Sequence, residues 1–200
     1  WHWQATVELT MMLKALYADA PDVYVASDLL IYTQEGNPRA AVAPDVFVVF
    51  GVPKGPRRIY KLWEEHAAPA VVFKLTSRKT RREDLVTKRA QYARLGVAEY
   101  FLFDPEADYL LPPLQGLRLE GGKYVAMATA PDGTLRCEAL GIDLRADGSR
   151  LMLRDVATGE RLPWIDERDA ARVAAEVRLA EAEAETAALR AELARLRGAG

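Results

Sequence analysis

An α/β domain with three layers and a central mixed sheet, followed by a long C-terminal helix, is the architecture this chain predicts. Three observations carry it. The hydrophobic runs VAPDVFVVF (residues 42–50) and APAVVFKLTSRKT (68–80) read as buried strands. Stretches with helical periodicity, at residues 4–18 and 82–95, alternate with strand-like segments at 23–33, 42–50, 70–76 and 99–104, as an α/β sheet requires. Residues 166–197 contain neither Pro nor Gly and are rich in Ala, Glu, Arg and Leu, the composition of one long helix. The expected division is a domain over residues 1–165 and a helix over 166–200.

Each element has a local cause. In residues 4–18, Val7, Met11, Met12, Ala15 and Leu16 share helical spacing, and Pro21-Asp22 closes the helix. The β-rich VYVASDLLIYT leads through a turn at EGNPR into the run at 42–50. Pro53, Pro56 and Pro69 keep the next loop irregular, with room for a short helical turn around Trp63. After the strand at 70–76, Ser77 or Thr80 can cap a helix whose first turn holds Glu83 and Asp84, favourable for the helix dipole. Gly96 stops that helix and EYFLFD forms the next strand. From residue 108 to 164, glycine-bearing pairs such as Gly121-Gly122 and Asp147-Gly148 punctuate short apolar runs, which reads as hairpins. In the tail, Leu179, Ala182, Thr186, Leu189, Leu193 and Leu196 step by three and four, a coiled-coil seam that predicts a homodimer through the C-terminal helix.

Composition narrows the function. Half of the 200 residues are hydrophobic and 28% are charged, as in a soluble domain with a real core. No apolar run approaches the roughly 20 residues that span a bilayer, and residues 1–200 contain no charged-then-apolar stretch with a cleavage site, so a cytoplasmic protein is expected by default. The chain opens on Trp1-His2-Trp3 inside a helical stretch, and a preceding segment is expected. One cysteine, Cys137, excludes an internal disulfide and a cysteine zinc site. His2 and His66 cannot build a histidine-rich metal cage, and neither Ser27 nor Ser77 sits in a nucleophile elbow. The net charge is only −2, yet eight basic residues against two acidic ones lie between Lys74 and Arg94. Such a basic face suits a phosphate backbone, with a plain solvated helix surface as the alternative.

Asp45 and Lys74 stand out because each is a charge inside a buried strand, costly unless it is paired or coordinates something. Two carboxylates there would make a metal site; a carboxylate and a lysine make a salt bridge.

Pro44-Asp45, the strand ending LTSRKT, the helix REDLVTKRAQYARLGV and the strand EYFLFDP, taken in order with RCEALGIDLRADG and LRDVATGERLPW, resemble the Uma-two family of restriction-endonuclease-like proteins, within the PD-(D/E)XK nuclease superfamily. The resemblance covers about residues 20–165. It implies a restriction-endonuclease-like core, DNA as partner and Mg2+ as cofactor, held by an aspartate and a glutamate on neighbouring strands. Asp45 matches the metal-binding aspartate, and the glutamate of the E-x-x-S setting falls on Lys74, ahead of Ser77. In a second register Lys74 is the motif's lysine and Val72 replaces the acid; either way one carboxylate is missing. Lys88 and Tyr92, one turn apart, match a catalytic lysine displaced onto the helix, Glu8 is a candidate outer metal ligand and Glu99 a more distant one. Arg78, Lys79, Arg81, Arg82 and Arg89 are the expected DNA contacts. An ammonium beside a divalent cation is repelled by several kcal/mol even at an effective dielectric of about 20. Weak or absent metal binding in this chain is therefore expected.

Overall fold

The computed structural model describes residues 2–76 and 87–198. Two compact units divide the chain, residues 1–162 and 163–200.

The first unit opens with helix α1 (His2–Leu16), followed by strands β1 (Val23–Ser27), β2 (Ile31–Tyr32), β3 (Ala41–Val42), β4 (Val46–Phe50) and β5 (Tyr60–Lys61). A one-turn helix α2 (Leu62–Glu65) precedes β6 (Val71–Leu75), and helix α3 (Arg89–Arg94) precedes β7 (Glu99–Phe103). Hairpin strands then follow: β8 (Leu114–Glu120), β9 (Lys123–Ala126), β10 (Leu135–Cys137), β11 (Ile142–Asp147) and β12 (Arg150–Asp155). The main sheet runs β1-β4-β6-β7-β8-β9, with β6 and β7 parallel and the other neighbours antiparallel, so it is mixed.

Strand alternation divides this sheet's side chains between two cores. One face gathers Phe47, Val49, Val72, Tyr100, Leu102 and Leu117 beneath Tyr60 and Tyr92 of α3. The other lies against α1, which meets β1, β4 and β6. Helix, sheet and helix make the expected three layers. β10, β11 and β12 form a second sheet whose buried face is Leu135, Leu144 and Leu153.

Three local expectations change. α1 buries Ala5, Leu9, Met12 and Leu13, whereas Met11 and Ala15 of the expected face are exposed. Residues 23–33 are not one strand, because Asp28 turns the backbone into the left-handed region at φ 49° and sends β2 to a separate small sheet with β3 and β5. The run at 42–50 likewise breaks at Pro44-Asp45 into β3 and β4. The two breaks are tied together, since the Asp28 N–H donates to the Asp45 carbonyl at 3.1 Å.

The second unit is the helix α4 (Ile165–Gly198). Asp166 and Glu167 lie in its first turn and Arg195 and Arg197 in its last, each sign favourable to the helix dipole. Among the described residues, no helix is long and apolar enough to cross a membrane.

Candidate functional site

Register positions the two buried charges. β4 pairs with β6 so that Val46 opposes Phe73, and one step back along the ladder Asp45 opposes Lys74. Both side chains are more than nine-tenths buried, and Lys74 Nζ donates to Asp45 Oδ1 at 2.6 Å. The second carboxylate oxygen, Oδ2, accepts the Leu75 N–H at 2.6 Å. Each carboxylate oxygen therefore accepts one strong donor.

His2, at the start of α1, joins this pair. Its Nε2 lies 2.7 Å from the Leu75 carbonyl oxygen, a contact that requires the proton on Nε2, and 3.6 Å from Asp45 Oδ2. Burial pushes the Asp45 carboxyl above the usual carboxylate range; the Lys74 ammonium, its hydrogen bond, His2 and the Leu75 N–H each pull the other way.

The remaining sequence candidates are dispersed. Glu8 lies six residues after His2, roughly 9 Å along the helix at 1.5 Å per residue. Its carboxylate is held by Arg150 of β12, with Oε1 at 2.5 Å and Oε2 at 3.0 Å, so the structure commits it to an ion pair instead of the Asp45 position. Glu99 is buried on β7 and accepts from Arg118 at 3.0 Å, the Cys137 thiol at 2.9 Å and the Glu138 and Ala139 N–H groups at 3.2 Å. It ties the main sheet to the second one. Burial and the adjacent Glu99 push the Cys137 thiol far above its ordinary pKa, which makes it inert.

Tyr92 is fully buried and packs on Tyr100 with ring centroids 5.1 Å apart. Val72 and Lys74 alternate onto the same sheet face as Tyr100, so α3 covers the face that carries the Asp45–Lys74 pair. Lys88 precedes α3 and is half-buried. Arg89 donates from Nη2 to the Tyr124 carbonyl at 2.5 Å. Arg78, Lys79, Arg81 and Arg82, like Ser77, lie outside the described residues.

These residues do not suit Mg2+, which prefers octahedral oxygen donors and usually takes one or two carboxylates. Asp45 already accepts two donors, an ammonium stands where a second carboxylate is needed, and Glu8 and Glu99 are engaged by arginines. Among the described residues, no three His, Cys, Asp or Glu side chains gather as a metal-holding group.

Residues 1–147 match the model of the Uma2 family, described as "Putative restriction endonuclease". Four chains of solved structures match as well. One is a crystal structure from Anabaena variabilis ATCC 29413, described as "a putative nuclease belonging to DUF820". It aligns at 12% identity with a TM-score of 0.50, covering 70% of this chain and 73% of that one, a likeness that shows the fold. No curated protein matches the chain.

Proposed function

Because the chain belongs to the Uma2 family, we propose that it is a DNA-binding protein descended from a Mg2+-dependent PD-(D/E)XK endonuclease, in which Lys74 has disabled the metal site. The observation that carries this reading is the 2.6 Å contact between Lys74 Nζ and Asp45 Oδ1. A protonated amine there supplies the positive charge a cation would supply, but it cannot activate a water. Phosphodiester hydrolysis of this type draws its nucleophile and its charge neutralisation from the metal, so binding without cleavage is what remains. The basic stretch from Arg78 to Arg94 supports DNA as the partner.

Two measurements on one preparation test it. Supercoiled plasmid in Mg2+ or Mn2+ should be retarded but not nicked; nicking that disappears in Asp45→Asn would restore the active-nuclease reading. Neutralising three of Arg78, Lys79, Arg81, Arg82 and Arg89 should flatten the slope of log affinity against log salt by about two to three units. An unchanged slope reassigns that stretch to a solvated surface.

The tail supports a second, separate role in self-association. Leu179, Leu189 and Leu193 stand 61%, 55% and 53% exposed on a seam of three- and four-residue steps. Leaving each in water forgoes roughly 1.5–3 kcal/mol. A parallel copy of the same helix covers the seam and gives a symmetric dimer. The full chain is expected to sediment as a dimer at micromolar concentration, and a truncation ending at Ile165 as a monomer. Two monomers would refute it.

A further inference from the structure

We propose that the DNA-binding surface includes a basic track across α3, built from Lys123, Arg89, Arg94 and Arg39, that holds the phosphate backbone of duplex DNA. The inference rests on the DNA-binding reading above and adds three residues to it, two of them remote in sequence from the basic stretch.

Two grooves flank α3. One, of about 700 Å³, is lined by Arg89 and Arg94 from the helix and by Lys123 and Tyr124 from the β8–β9 hairpin. The other, of about 480 Å³, is lined by Arg39 from the β2–β3 loop and again by Arg94, with Gln34 and Gln91. Arg94 belongs to both, so the grooves form one path over the helix. Among the described residues, neither is lined by a carboxylate. The four cations outnumber the described acids of their own loops, Glu120 opposite Lys123 in the hairpin ladder and Glu35 in the β2–β3 loop, and give the grooves a net positive lining, the footprint of a polyanion site.

The floor of the track selects the ligand. Ala90 and Ala93 leave the helix surface low between the basic side chains. The hydrogen bond from Arg89 to the Tyr124 carbonyl holds its guanidinium in place before any ligand arrives, which reduces the ordering cost of binding. Tyr124 itself is 5% exposed, and its hydroxyl donates to the Val97 carbonyl, so its ring is core. Single-strand binders stack bases on exposed aromatic rings. Neither groove offers one, which favours contacts to duplex phosphates over contacts to unpaired bases.

The solvent face of the second sheet provides a matched contrast. Arg136, Arg145 and Arg154 line a cavity there, but Asp143 pairs with Arg136 and Asp132 lies 3.9 Å from Arg145. Arg136 and Arg145 each have an acidic partner, and Arg154 stands opposite Asp143 in the β11–β12 ladder, so this group carries acids of its own and forms the control.

The test is fluorescence anisotropy of the full-length protein on a duplex of about 30 base pairs, across roughly 50–300 mM salt where phosphate contacts dominate affinity. The triple variant Arg39→Gln, Arg94→Gln, Lys123→Gln should lower the salt slope by about two to three units, near 0.9 for each lost phosphate contact. The triple variant Arg136→Gln, Arg145→Gln, Arg154→Gln removes the same charge and should leave the slope unchanged. If the parent binds with a steep slope and the track variant keeps it, the track is refuted while the DNA-binding reading stands. Equal flattening in both variants assigns the effect to net charge and also refutes it. A parent without salt-dependent binding overturns the DNA-binding reading, and the track with it.

Discussion

Lys74→Met is expected to destabilise the protein by about 3–5 kcal/mol, the usual cost of removing one partner from a buried ion pair. For a domain of this size that corresponds to a fall in Tm of roughly 6–20 °C. The cost arises because Asp45, with its side chain 7% exposed, would lose its ammonium partner and keep only the His2 ring, 3.6 Å away, beside its negative charge. The pH dependence has a definite sign. Burial already raises the Asp45 carboxyl pKa, and losing the ammonium raises it further. A carboxyl with a raised folded pKa contributes stability below its unfolded value and loses it as pH rises through the folded value. The deficit of Lys74→Met should therefore be largest near neutrality and shrink as pH falls. Adding Asp45→Asn to Lys74→Met should recover most of the loss, because the amide oxygen still accepts the Leu75 N–H while both charges are gone. Denaturant melts of the three proteins between about pH 4 and 8, a range spanning the carboxylate values, check the whole set. Single and double variants of equal stability would show that the pair is not coupled.

Lys74→Glu is expected to convert the pair into a cation site. The change places two carboxylates opposite each other at a buried ladder position, so the metal-free variant should melt well below the parent. Mn2+ or Mg2+ should then raise its Tm while leaving the parent's unchanged. Removing an ammonium about 4 Å from a divalent ion relieves several kcal/mol of repulsion at an effective dielectric near 20. Solvent reduces that figure, and a gain in affinity of at least about a hundredfold, or roughly 2.7 kcal/mol, is a conservative expectation. A variant that gains no affinity would show that position 74 is not the family's acidic position.

The strands that carry the site were legible because they are buried on both faces and read as nearly continuous hydrophobic runs. In such a run a single Asp or Lys is conspicuous, and Asp45 and Lys74 were visible for that reason. Register then required only that β4 and β6 be neighbours. His2 was not legible. Nothing in its local sequence marks it, and its hydrogen bond to the Leu75 carbonyl spans 73 residues. The buried face of α1 was misjudged for a related reason. Thr6 and Thr10 are buried because their hydroxyls donate to the His2 and Thr6 carbonyls one turn back, which satisfies them within the helix. Glu8 is buried because Arg150 arrives from 142 residues away. A rule that sends polar residues outward cannot anticipate either arrangement. Lys123 and Arg39 were likewise invisible as parts of one surface, since only the fold brings their loops to opposite sides of α3.

A calorimetric titration of Mn2+ into this protein beside its Lys74→Glu variant tests the central claim most directly. The expected result is no saturable heat from the parent and a single saturable site in the variant. Stoichiometric binding by the parent that is abolished in Asp45→Asn would contradict the account, because Asp45 would then be holding a cation with Lys74 in place.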